Sequence, residues 1–275
     1  MRRVLAAALP MVAMLCSLAG PVGPAVAASS NIEPGIQMVT AGSQCTANFV
    51  FTDRRGRKYL GYAAHCAGKG DSNDTNGCTT ASHRLGTRVR FARGVSASDS
   101  GTTVGYGRLA YSSWLAMQRA GTRGERCLSN DFALVRVESA YLRKVKPTVP
   151  HWGGPVALAA TPAAGSRVVT FGSSSLRPGA LAPVASPKTG VVLASRTFDA
   201  TVFTPNLGIP GDSGSGFMDA QGRAVGVLST LNLFPEIGTN GVSSLAPALT
   251  FARKHGIRGL RLVPGTAPFK SSALF

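Results

Sequence analysis

The sequence predicts an all-β protein closed by one helix. Three observations carry this. The chain is rich in Gly, Ser, Thr and Val, with 33 glycines in 275 residues. Its apolar runs are short and broken by turn residues. Only one stretch, Ser244 to Gly256, has a convincing helical pattern.

The elements follow in order. Asn48-Phe49-Val50-Phe51-Thr52 is a strand, Asp53-Arg54-Arg55-Gly56 a turn, and Tyr59-Leu60-Gly61-Tyr62-Ala63 the returning strand. Positions 67–126 hold Gly-, Ser- and Asp-rich segments and are expected to contain long loops. Phe132 to Val137 is a half-buried strand. Phe217-Met218, the turn Asp219-Ala220-Gln221-Gly222, and Ala224 to Leu228 form a hairpin. In the helix, Ser244 is the cap and Leu245, Leu249 and Ala252 share a face. Arg253, Lys254 and His255 crowd the end, and Gly256 stops it. Residues 264–275 have no pattern and read as a tail. No internal repeat is visible.

Residues 1–27 read as a secretory signal: basic Arg2-Arg3, an apolar run, then Ala25-Val26-Ala27 for cleavage. A membrane anchor fits less well, because the run is short and Gly20, Pro21, Gly23 and Pro24 follow it. No other run approaches membrane length. The remaining 248 residues suit two lobes, 28–150 and 151–263, and a secreted destination, where disulfides persist. The interval before Cys45 is too short for a large pro-segment.

Without the leader, 27 basic residues face 12 acidic ones, a formal +15. That field favours anionic surfaces such as cell-wall polymers. The basic residues are scattered, with no aromatic-basic module, so no specific nucleic-acid site is expected. Cys45, Cys66, Cys78 and Cys127 allow three disulfide pairings. There is neither C-x-x-C nor H-x-x-x-H, so no metal site is predicted.

The chemistry-bearing run is Pro210-Gly211-Asp212-Ser213-Gly214-Ser215-Gly216. Flanking glycines allow a sharp turn that exposes Ser213. The N–H groups of Gly211 and Ser213 can converge on an oxyanion. Serine needs a base, and the base an orienting acid. Ala63-Ala64-His65-Cys66 supplies His65, and Asn130-Asp131-Phe132-Ala133-Leu134 supplies Asp131. His83, His151 and His255 lie in loops or at a helix end and receive no role.

On these three motifs, in the order His65, Asp131, Ser213, the chain resembles the chymotrypsin-like serine peptidases of secreted bacterial type. The resemblance spans positions 31 to 260. It implies two antiparallel six-stranded β-barrels with a C-terminal helix and the site between them. It implies a secreted serine endopeptidase acting on protein or peptide substrates, with no cofactor and as a monomer. Ser213 would attack, His65 act as base, Asp131 orient His65, and Gly211 and Ser213 form the oxyanion hole. The resemblance pairs Cys45 with Cys66, which leaves Cys78 with Cys127. It puts Leu207 and Gly208 at the base of the primary pocket and Gly241 on its far wall. Ser229, Thr230 and Leu231 would form the substrate-pairing edge. No acid stands at the pocket base, so a small or apolar side chain is expected there. Leu231 replaces a usual glycine and would narrow the pocket. Glu236 receives no role. If its side chain is buried, Asp212 needs a cationic partner, expected to be an internal arginine.

Two other readings fit the sequence. One is a silent or zymogen-locked member that binds anionic surfaces. The other, an esterase, is weaker, because a hairpin and no helix follows Ser213.

Overall fold

A computed structural model describes residues 29–70, 74–177, 182–232 and 237–270. The leader 1–27 and Glu236 lie outside them. The first seven strands are β1 (Gln37–Thr40), β2 (Ser43–Thr46), β3 (Val50–Thr52), β4 (Lys58–Tyr62), β5 (Arg88–Arg93), β6 (Thr102–Ser112) and β7 (Ala133–Val137). Next come β8 (Arg167–Phe171), β9 (Pro187–Ser195), β10 (Asp199–Phe203), β11 (Gly216–Asp219), β12 (Ala224–Asn232) and β13 (Thr239–Ser244). The last strand is β14 (Arg261–Leu262). The helices are α1 (Ser113–Arg119), α2 (Arg126–Ser129), α3 (Ala182–Ala185) and α4 (Leu245–His255).

The second lobe is a closed six-stranded barrel in the order β10-β13-β12-β11-β8-β9. The first is an eight-stranded sheet, β14-β3-β4-β7-β6-β5-β1-β2. It exceeds the six expected strands because β2 folds back on β1 and β14 returns from beyond the helix to pair with β3. Val168, Val192, Ala200, Val202, Phe217, Val225, Leu228 and Val242 form the barrel's core. A larger cluster fills the first lobe and takes in one face of α4 through Leu245, Ala248 and Leu249.

The segment expected to contain long loops also holds β5, the eleven-residue β6 and α1. Glycines hid β6 from the sequence reading. A Cβ on Gly107 would meet Val135 Cγ1 at 2.6 Å and the Arg136 carbonyl at 2.7 Å. This glycine is a close-packing position within β6, not a turn.

Three further differences stand out. Ser244 does sit at the N-cap of α4, but it makes no side-chain cap bond, and its hydroxyl accepts from Thr161 Oγ1 at 2.6 Å. Residues 264–270 are docked: Gly265 N–H donates to the Pro155 carbonyl and Lys270 N–H to the Trp152 carbonyl, both at 2.8 Å. The two lobes also share a turn that no repeat search of the sequence would rank. Asp53-Arg54-Arg55-Gly56-Arg57 links β3 to β4, and Asp219-Ala220-Gln221-Gly222-Arg223 links β11 to β12. In each, one aspartate oxygen accepts two backbone N–H groups and the other accepts the arginine Nε, at 2.6 and 2.7 Å.

Candidate active site

His65 sits in a 3-10 turn, Ala64–Ala67, just past the end of β4. Asp131 lies between α2 and β7 and is 3% exposed. His65 Nδ1 and Asp131 Oδ2 are 2.6 Å apart, and the His65 backbone N–H donates to Oδ1 at 2.9 Å. The Ser229 hydroxyl also donates to Oδ2, at 2.6 Å. The buried carboxylate therefore has three donors. Burial alone would raise its pKa, but the charge and hydrogen bonds of His65 and the Ser229 bond hold it below the ordinary value. Burial pulls the imidazole pKa down, and the Asp131 charge and hydrogen bond outweigh that and leave it raised. With Nδ1 facing a carboxylate, the proton belongs on Nδ1, and Nε2 is left as the accepting nitrogen.

The acid's backbone is pinned from both lobes. Asp131 N–H donates to Ser243 Oγ on β13 at 3.2 Å, and that hydroxyl donates to the Ser129 carbonyl at 2.6 Å. On the other side, Ser113 Oγ donates to the Asn130 carbonyl at 2.6 Å. Sequence reading found neither serine. Both reach Asp131's loop from distant elements and belong to no motif.

The Ser213 loop is built from two left-handed glycines, Gly211 at φ +95° and Gly214 at φ +89°. A Cβ on Gly214 would meet the Thr46 carbonyl at 2.5 Å and the Ala63 nitrogen at 2.9 Å. The loop thus packs on the chain two residues before His65. Thr46 N–H donates to the Ser213 carbonyl at 2.8 Å, and Thr46 Oγ1 donates to the Gly211 carbonyl at 2.8 Å. Next to Thr46, Cys45 is bridged to Cys66, and Cys78 to Cys127. The first bridge fastens the strand that holds the Ser213 loop to the turn that carries His65. Ligand atoms of Cys45, His65 and Cys66 lie within 4.8 Å of one another, but the sulfurs are joined as a disulfide and offer no thiolate to a metal.

Backbone donors in this loop are mostly spent. Asp212, Gly214 and Ser215 donate to Ile209, Leu228 and Asp212 at 2.9, 2.8 and 3.0 Å. Among the described residues, the N–H groups of Gly211 and Ser213 donate to nothing. Nor does a hydrogen bond join Ser213 Oγ to His65 among those residues.

Asp212 is fully buried and meets Arg177 through Oδ2. Lys188 Nζ lies 3.3 Å from the same oxygen. Ser174 N–H donates to Oδ1 at 3.0 Å and Ile209 N–H to Oδ2 at 3.2 Å. The internal arginine expected from the sequence is Arg177. Lys188, 1% exposed, was not foreseen.

The residues expected around the primary pocket divide between two places. Ser229, Thr230 and Gly241 line a cleft of 290 Å³ shared with Leu128, Ser129 and Asp199. Gly208 lies elsewhere, against Leu228 Cδ1 and the carboxamide of Asn240. Leu207 gives its carbonyl to Arg177 at 3.0 Å. Leu231 pairs with Asn240 across the β12–β13 ladder.

No protein-family model and no curated protein sequence matches the chain. Solved structures do. Protease A of Thermobifida fusca is 20% identical, covering 86% of this chain and 100% of its own, with a TM-score of 0.50. A glutamic acid specific serine protease is 19% identical, covering 84% and 100%, with a TM-score of 0.50. A Glu endopeptidase is 17% identical, covering 83% and 94%, with a TM-score of 0.51. The backbone of this chain therefore has the two-lobed β fold of the bacterial chymotrypsin-like serine proteases.

Proposed function

We propose that the protein is a secreted serine endopeptidase with Ser213 as nucleophile. One observation carries the reading: the pair of half-buried His65 and buried Asp131 lies beside a loop whose Gly211 and Ser213 N–H groups are unspent. Nε2 of His65 takes the Ser213 proton as Oγ attacks a peptide carbonyl. Asp131 holds the ring and stabilises the imidazolium. The two free N–H groups receive the negative oxygen of the tetrahedral intermediate. His65 then protonates the leaving amine, and water hydrolyses the acyl-enzyme by the same route. No metal or cofactor has a part in these steps.

Arg177 and Lys188 already satisfy Asp212, so the Ser213 loop needs no newly freed chain end to balance that charge. Two disulfides and the leader-like start support export to an oxidising compartment. A second reading, a locked or silent protein that binds anionic surfaces, is favoured by the missing Ser213–His65 hydrogen bond. A fluorophosphonate separates the two. Labelling that disappears in Ser213→Ala supports the peptidase. An unlabelled, folded, disulfide-bonded protein would refute it.

A further inference from the structure

A separate cavity, of 170 Å³, lies between the two lobes. The end of β5 and the turn after it, Arg93 to Ser96, line it from the first lobe. Ser173, Arg177 and Ser186 line it from the second. Each lobe thus brings one arginine, and among the described residues no carboxylate lines the cavity.

Both arginines hold a donor that has no acceptor. Arg177 is 10% exposed, and its Nη1 and Nη2 are committed to Asn206, Leu207 and Asp212. Its Nε is buried and donates to nothing among the described residues. Arg93 spends only Nη2, on Glu33 and the Asn31 carbonyl. Its Nε is also buried without an acceptor, and its Nη1 makes no bond among those residues. A buried charged donor without a partner is costly. A guanidinium is shaped to give such donors to the oxygens of an anion. The backbones of Ser173 and Ser186 are bonded to neighbouring segments, whereas their hydroxyls make no bond among the described residues.

The charge balance points the same way. Arg177 and Lys188 both address Oδ2 of Asp212, so two buried cations share one buried carboxylate. One positive charge is left over. Ser186, whose carbonyl receives Lys188 Nζ at 3.4 Å, places that surplus next to the cavity. An anion there would pair the surplus without disturbing Asp212.

We propose that this cavity binds a small tetrahedral oxyanion of the inorganic phosphate class, held by Arg93 and Arg177 with the hydroxyls of Ser173 and Ser186. Donors arriving from both lobes suit four oxygens spread around a centre better than the two coplanar oxygens of a carboxylate. Such an ion joins the end of β5 to the arginine that holds Asp212, and so ties the first lobe to the loop carrying Ser213. The site stands whether or not Ser213 is a nucleophile. The phosphodiester of a polymer offers similar oxygens, but only two of them bear charge, so the free ion fits the donor set better.

Calorimetric titration of the full mature chain with inorganic phosphate, against chloride at equal ionic strength, should show one saturable site. Arg93→Gln should weaken it at least about tenfold. Arg136→Gln, at an exposed arginine of β7, should change it less than about twofold and controls for the general positive field. Ser173→Asp puts a carboxylate at the cavity and should abolish phosphate binding, which keeps the test open if Arg93→Gln does not fold. Dimethyl phosphate, a polymer diester in miniature, should bind at least about tenfold more weakly than the free ion. Phosphate acting no differently from chloride, or equal weakening in the Arg93 and Arg136 variants, overturns the site. Dimethyl phosphate binding as tightly as phosphate overturns the free ion as its ligand and assigns a polymer instead.

Discussion

Replacing Lys188 with Met should leave the protein about as stable as before, whereas Arg177→Met should cripple it. Both cations address one buried carboxylate, but unequally. At 3.3 Å and an effective dielectric of about 20, the Lys188–Asp212 attraction is about 5 kcal/mol. Against it stand the burial of an ammonium that is 1% exposed, which costs several kcal/mol, and repulsion from Arg177. The balance is near zero, and burial followed by Arg177 pushes the Lys188 pKa down despite Asp212. Among the described residues its one other bond is long, 3.4 Å to the Ser186 carbonyl. Removing it leaves Asp212 with Arg177 and two backbone donors, so an apolar isostere should be close to neutral. Arg177 also donates to Asn206 Oδ1 and the Leu207 carbonyl, at 3.1 and 3.0 Å. Its loss leaves a buried carboxylate half-paired and should cost about 3–5 kcal/mol. Urea unfolding at neutral pH with disulfides intact measures both. The pH dependence adds a check. A lysine whose folded pKa is depressed binds fewer protons in the native state, so wild-type stability should rise with pH from that folded value up to 10.5. Lys188→Met should lose this rise. A loss in Lys188→Met as large as in Arg177→Met would refute the reasoning and make the lysine the true counterion.

Three further outcomes follow. The catalytic rate should climb with pH along a limb whose midpoint lies above 6.5, because Asp131 keeps His65 protonated longer than free imidazole. The pair's stabilisation should be largest between 3.8 and 6.5, fading as pH rises through the folded value of His65 or falls through that of Asp131. Asp131→Asn should shift the limb to lower pH, and a wild-type midpoint below 6.5 would contradict the geometry. Breaking the Cys78–Cys127 bridge with paired serines should cost about 4 kcal/mol, given its separation of 49 residues. Calorimetry should show Tm lower by roughly 10 °C, and a drop under about a degree would mean the unfolded chain keeps that loop closed without the bridge.

What could be read from the sequence was local. The hairpin around Asp53, the turn at His65, the approach to β7 and the Ser213 loop each lie within a few residues, so their turn chemistry is written contiguously. What supports them is not. Arg177 and Lys188 reach Asp212 from 35 and 24 positions away, Ser243 reaches Asp131 from 112, and Asn240 reaches Gly208 from 32. Serines, a lysine and an asparagine at such distances form no pattern until the barrel closes. β6 was hidden for another reason. Its glycines, taken alone, signal a loop, and only the neighbouring side chain of Val135 reveals that a Cβ would not fit.

The strand at Arg261–Leu262 has a consequence for how the molecule is made. It completes the edge of the first sheet by pairing with Phe51 and Thr52, and Val263 N–H continues the contact to the Val50 carbonyl at 2.9 Å. The first lobe therefore lacks one of its strands until more than two hundred residues have been added after β3. During that interval the outer edge of β3 is exposed to any chain that can pair with it. The nascent protein guards that edge last, so clipping the chain before residue 261 should harm the lobe farthest from the cut in sequence.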